Sequence, residues 1–122
     1  EGVVNFFSFD TENGKKANIY FEYSYGINDD LSGYVGYILL DKKENVEFFY
    51  PILEKKKSDF TYNQITNELK FKNENTEYTI YDEGYNTGIR ILSNGKTTLI
   101  KALNKSGSLS KINDFIIKNI TK

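Results

Sequence analysis

The sequence predicts an all-β protein: a single-domain antiparallel β-barrel or sandwich of about eight or nine strands built from hairpins, with a short C-terminal helix. Three observations carry this. Apolar and polar residues alternate with a period of two through most of the chain, as half-buried strands require. The pairs Asn13-Gly14 and Asn94-Gly95 separate such segments, and both central residues of a tight hairpin turn need positive φ. Ten Tyr and nine Phe supply side chains that suit strands, and the only proline, Pro51, follows a strand-like segment instead of interrupting one.

In the first part, Val3 to Phe9 and Lys16 to Tyr25 flank the first Asn-Gly. A two-residue turn there sets Glu12 opposite Lys15, Ser8 opposite Ile19, Phe6 opposite Phe21 and Val4 opposite Tyr23. Gly26 to Gly33 is a polar turn cluster and reads as an exposed loop. Tyr34 to Leu40 reads as a buried strand, Asp41 to Asn45 as a loop, and Val46 to Tyr50 as a strand that Pro51 ends for want of an N–H. Ile52 to Asp59, with its run Lys55-Lys56-Lys57, is a charged, solvated excursion before a short strand near Phe60 to Asn63.

The stretch from Glu68 to Leu103 is the most regular. A polar turn over Asn73 to Thr76 places Lys72 opposite Glu77, Phe71 opposite Tyr78, Lys70 opposite Thr79 and Leu69 opposite Ile80. Apolar partners then meet on one face and a Lys-Glu pair on the other. Asp82 to Thr87 reads as a polar connection, and the turn at Asn94-Gly95 pairs Ser93 with Lys96, Ile91 with Thr98 and Ile89 with Ile100. Asn104 to Gly107 reads as a loop. Ser108 is placed to cap a short helix to Asp114 with Leu109, Ile112, Phe115 and Ile116 on one face, and a final strand over Phe115 to Ile120 is the competing reading.

Composition narrows the chemistry. At 122 residues the chain makes one domain, and 16 Lys and Arg against 17 Asp and Glu leave a formal charge of -1. That balance, with Arg90 as the only arginine, carries no electrostatic footprint for nucleic acid. No apolar run approaches the roughly 18 residues of a membrane span. The chain has no Cys, His or Met. Thiolate catalysis, the usual zinc ligands and Ser-His or Cys-His pairs are therefore excluded, and acid/base work would rest on carboxylates, Lys and Tyr. The expectation is a non-enzyme without cofactor or metal. A Met-free sequence beginning at Glu1 further suggests a removed leader. That implies a periplasmic or secreted location, with a lipid anchor on a segment outside this chain as one form of it.

Several constellations have a bland reading beside a functional one. Asn28, Asp29 and Asp30 are oxygen ligands suited to calcium, yet their spacing departs from an EF-hand loop and a solvated turn explains them. Asp82 and Glu83, with Glu77 or Glu22, are the only candidate acid/base pair and read as turn carboxylates. Tyr20, Tyr34, Tyr37, Tyr62, Tyr81 and Tyr85 fall opposite to, or outside, the cleanest core set, so some of them are expected at the surface. Exposed aromatic rings suit a protein-binding surface or a sugar platform, and the absence of Trp weakens the latter.

The segment Leu31-Ser32-Gly33-Tyr34-Val35-Gly36-Tyr37 resembles the loop of bacterial periplasmic lysozyme inhibitors, small exported β-rich proteins whose Ser-Gly-x-x-Tyr-like loop enters a lysozyme cleft. Here Tyr37 stands one place beyond that spacing and Tyr34 falls short of it. The bias toward Lys, Asn, Ile and Tyr, with Tyr-Pro closing a central strand, also resembles small periplasmic proteins and lipoproteins of low-GC bacteria. These resemblances imply a protein that binds and blocks another, either a lysozyme-type hydrolase or a toxin for which it is the immunity factor. The contact would fall on Gly26 to Tyr37, with Ser32, Gly33, Tyr34, Tyr37, Asp29 and Asp30 as its residues. A small-molecule or glycan-binding barrel predicts an apolar cavity instead, and an accessory subunit of a cell-envelope assembly predicts an unpaired hydrophobic edge strand.

Overall fold

The computed structural model describes residues 2–25, 31–51 and 60–115, with Ser24, Tyr25, Leu31 and Ser32 as backbone only. The strands are β1 (Gly2–Thr11), β2 (Lys16–Tyr25), β3 (Leu31–Leu40), β4 (Val46–Tyr50), β5 (Thr61–Asn63), β6 (Glu68–Asn73), β7 (Thr76–Glu83), β8 (Asn86–Ser93) and β9 (Lys96–Gly107). They form one nine-stranded sheet in the order β4-β3-β2-β1-β9-β8-β7-β6-β5, each neighbour antiparallel to the next. The chain thus makes two meanders, β1 to β4 and β5 to β9, and the last strand returns to pair with the first. After β9 come a 3₁₀ turn, Leu109–Lys111, and the short helix α1, Ile112–Phe115.

Antiparallel hydrogen bonding does not close this sheet: among the described residues β4 and β5 are its ends and do not pair. The sheet instead folds over so that its two meanders face each other across one core. Phe7, Phe9, Ile19, Phe21, Val35 and Tyr37 enter that core from the first meander, and Leu69, Phe71, Ile80 and Ile89 from the second. Where β3 and β4 meet β6 and β7, the contact is aromatic. The Phe71 ring lies 4.5 Å from Tyr50, 4.9 Å from Phe60, 4.9 Å from Tyr78 and 5.6 Å from Tyr37, centroid to centroid. At the other end Phe115 of α1 stacks on Phe21 at 4.5 Å and meets Phe6 at 5.3 Å. Leu109 and Ile112 are buried there too, as the helical spacing predicts.

β9 belongs to both meanders. Its first half, to Lys101, pairs with Gly88–Ser93 of β8, and its second half, from Ala102, pairs with Phe7–Thr11 of β1. Leu103 is the extra residue between, since Thr11 faces Ala102 and Asp10 faces Asn104. A bulge of this kind bends a strand and increases its twist, which here carries β9 from one half of the fold into the other.

The β6-β7 and β8-β9 registers are those expected, down to Lys72 opposite Glu77 and Ser93 opposite Lys96. The β1-β2 register differs. Thr11 N–H donates to Lys15 O at 2.8 Å and Gly14 N–H to Thr11 O at 3.0 Å, so the turn holds Glu12, Asn13 and Gly14, with Gly14 at φ +83°. This three-residue loop ending in a left-handed residue moves the pairing by one, to Phe7 opposite Ile19 and Phe9 opposite Ala17. An irregularity at Phe6 then places Val4 opposite Phe21, and Phe6 is itself buried. Three expected loops are also shorter than the sequence implied. β3 begins at Leu31, so Ser32 and Gly33 lie in a strand opposite Ser24 and Tyr23. Asp82 and Thr87 pair within the ladder, leaving Gly84-Tyr85 as the turn. Asn104 to Gly107 continue β9, because β1 offers them a ladder. Lys55 to Lys57 and the competing strand after Phe115 lie outside the described residues.

Truncating Phe71 to alanine removes the ring on which both ends of the sheet converge and is expected to cost about 3–5 kcal/mol, the range for a buried Phe→Ala. Equilibrium urea unfolding measures it; a loss no larger than that of Phe49→Ala on the outer face would mean the seam does not hold the halves together.

Candidate protein-binding surface

Residues opposite one another in an antiparallel pair share a face, so the register defines the outward side of the first meander. Glu22 faces Tyr34, Tyr20 faces Gly36, Asn18 faces Ile38 and Lys16 faces Leu40. The rows continue to Phe49 opposite Ile38 and Val46 opposite Leu40. Val46 and Phe49 are exposed, and Tyr20, Tyr34, Ile38 and Leu40 are partly so. This face therefore joins two tyrosines to an apolar strip on β3 and β4, beside the exit of β2 and the entry of β3.

Local chemistry holds the tyrosines down. A Cβ on Gly36 would stand 2.6 Å from Cε2 of Tyr20, so the ring lies in the space that the glycine leaves. Tyr34 stands opposite Glu22 on this face. Burial, then the negative charge of Glu22, pushes the Tyr34 phenol up to about 12. Burial and Glu22 raise Tyr20 as well.

The other residues expected at a contact fall elsewhere. Tyr37 points inward, 1 % exposed, against Phe71 and Phe48, and is a core residue rather than a contact residue. Gly33 is inward too; a Cβ there would meet the Phe21 ring, with Cε1 at 3.0 Å. Ser32 is described as backbone only, and Asp29 and Asp30, with Asn28, lie outside the described residues. Of the remaining expected surface tyrosines, Tyr85 is fully exposed at the β7-β8 turn and Tyr62 is half-buried. Tyr81 is buried under Arg90, whose guanidinium carbon sits 5.1 Å from the ring centroid.

The candidate carboxylates do not converge. Glu77 and Asp82 project to opposite faces of β7, and Glu22 engages Tyr34 on the far meander. Asp82 is buried and accepts from Thr87 Oγ1 at 2.8 Å and from Lys105 Nζ at 2.6 Å, while Lys105 also donates to Gly84 O at 2.8 Å. Asn67 Nδ2 donates to Asp82 O at 2.7 Å and Tyr62 Oη to Asn67 Oδ1 at 2.6 Å, so the network ties four elements at one end of the core. No local pattern announces Lys105, 23 residues beyond its partner. Among the described residues no group of three or more His, Cys, Asp or Glu is placed to hold a metal, and no helix is long and apolar enough to cross a membrane. One surface depression of about 310 Å³ has polar walls that include Ser8, Asp10, Asn18 and Asn104. Comparison with protein-family models, curated proteins and solved structures finds no match in any of the three.

Tyr20, Tyr34, Tyr62, Tyr78 and Tyr81 all have their phenols raised, each chiefly by burial, and so does Tyr37. The folded chain then keeps protons that the unfolded chain loses above its ordinary tyrosine value near ~10. Stability from these groups is complete below pH ~10 and falls as pH rises toward 12 and beyond. Urea midpoints that hold constant from pH 9 to 11.5, or a phenolate absorbance that develops in full at about pH 10 in the folded protein, would contradict this.

Proposed function

We propose that this chain is an exported, non-enzymatic protein that binds and blocks another protein, a lysozyme-type hydrolase or a toxin, through the outward face of β2, β3 and β4. The reading is supported chiefly by Tyr34, which sits on that face near the start of β3, partly buried and paired opposite Glu22. A ring held in one place before binding loses little freedom on contact, which is why tyrosine serves as an interface anchor. Tyr20 over Gly36, and the apolar strip of Ile38 and Phe49, extend the platform. A partner's cleft would take Tyr34 and the adjoining chain, and the strip would bury beside it. In the same reading Tyr37 acts from the core, by holding β3 against β6.

Affinity capture with the purified domain against lysozymes and a periplasmic extract of the source cell, with Tyr34→Ala and Phe49→Ala as comparisons, tests the reading. The expected result is one hydrolase or toxin retained and inhibited by the wild-type domain. Each substitution should weaken it by about 10- to 100-fold, the range of an interface anchor, with the unfolding midpoint nearly unchanged. A partner bound equally well by both variants would move the contact to another surface, and bound hydrolase with undiminished activity would sink the blocking role.

A further inference from the structure

Charge is distributed unevenly along this chain. Residues 86–107, which make β8 and β9, hold Arg90, Lys96, Lys101 and Lys105 and no acidic residue, although the whole chain carries -1. Arg90 is paired with Glu68 at 3.5 Å and Lys105 with Asp82 at 2.6 Å. Lys96 and Lys101 have no ion pair among the described residues.

The sheet is open between those two lysines. β1 parts from β9 at Thr11, opposite Ala102, because the chain turns there into β2. Among the described residues, the Glu12 N–H donating to Lys101 O at 2.9 Å is the last bond on that side. From Lys96 to Ile100, β9 pairs only with β8 among the described residues. In a two-residue hairpin the pair beside the turn exchanges both its bonds, so Lys96, Thr98 and Ile100 direct their backbone groups to β8. Those of Thr97 and Leu99 point the other way, in step with Lys101. Their N–H and C=O groups form a short row in the register of a missing strand. On the flanking faces Leu99 and Leu103 are 53 % and 70 % exposed.

We propose that the Lys96–Ile100 edge of β9 takes an extended segment of a protein partner as an added strand, and that this segment is acidic at both ends and apolar in the middle. The slot continues the line of β1 and admits about five residues, some 17 Å of strand. The outward groups at Thr97 and Leu99 alternate donor and acceptor, which a peptide backbone matches and a phosphate chain, having no donors, does not. Lys96 and Lys101, at its two ends and on opposite faces of the sheet, complement carboxylates at either end of the segment, and Leu99 offers apolar contact on the Lys101 face. A second copy fits less well, since edge-to-edge pairing would gather the unpaired lysines of both copies along one junction. This surface is distinct from the Tyr34 face, so either assignment can fail without the other.

The probe is the acetylated, amidated peptide Glu-Glu-Val-Val-Glu-Glu, which shows a carboxylate on each face at both ends, with its Gln-for-Glu counterpart and a single-stranded oligonucleotide as controls. Amide exchange is followed by NMR at low ionic strength on protein verified as monomeric. Free protein should exchange Thr97 and Leu99 rapidly, and the acidic peptide should slow both. Thr97→Pro deletes an outward N–H while leaving the β8 ladder intact, and should abolish that protection. Lys96→Glu with Lys101→Glu should weaken the acidic peptide about 5- to 10-fold, the worth of two exposed ion pairs, and the Gln peptide hardly at all. Protection of these amides before peptide is added, equal affinity for both peptides, or unchanged affinity in the charge-reversed variant would overturn the proposal. So would protection that appears only on raising protein concentration, which assigns the edge to a second copy, or stronger binding of the oligonucleotide.

Discussion

The fold depends on Phe71. An antiparallel sheet whose end strands do not pair can stay flat and bury one face poorly, or fold over and bury that face against itself. Folding over places the ends of both meanders in register only if something large fills the gap between them. Phe71 does this by contact with Tyr50 and Phe60 on one side and Tyr78 and Tyr37 on others. Dispersion and burial of several rings replace the hydrogen-bonded closure of a barrel. The aromatic enrichment is therefore mainly architectural, and it leaves only a few rings for the surface.

The second requirement is a strand that can serve both meanders, and β9 meets it through the bulge at Leu103. Bending there lets Phe7 and Phe9 pair beside Lys105 and Gly107 while Ile89 and Ile100 remain paired farther along. The same bend parts β9 from β1 beyond Thr11 and leaves Lys96 to Ile100 with one partner strand. The open edge is thus a geometric product of how the halves are joined. At the opposite end Lys105 reaches Asp82, so a buried carboxylate is neutralised where β7, β8 and β9 come together. Removing the lysine would leave that carboxylate short of its charged partner, a costlier change than losing an exposed pair.

Both candidate surfaces arise where a local irregularity meets regular pairing. Gly36 makes room for the Tyr20 ring on the outer face of β3, and Tyr34 stands beside it opposite Glu22. A regular strand with side chains at every position would have scattered these rings. The first surface is aromatic and apolar and sits on one meander, and the second is basic with unpaired backbone and sits on the other.

Turn chemistry and alternation in the sequence were enough for the β6-β7 and β8-β9 hairpins. There each turn is short, its residues tolerate positive φ, and a one-residue slip would expose an entire apolar row. They were not enough for β1 and β2: Asn13-Gly14 permits a two-residue or a three-residue loop, and the choice follows from Thr11 pairing with both Lys15 and Ala102. Tyr34 and Tyr37 were both expected at the contact, although alternation along β3 puts them on opposite faces without saying which face is inside. That was decided by Phe71, 34 positions after Tyr37 in the sequence, so the burial of Tyr37 and the partial exposure of Tyr34 were legible only in the assembled fold. Local sequence determined which residues share a face, since that depends on neighbours two positions apart. Which face is core, which edge is open and which lysine meets which aspartate rest on contacts between distant segments, and only the tertiary structure decided them.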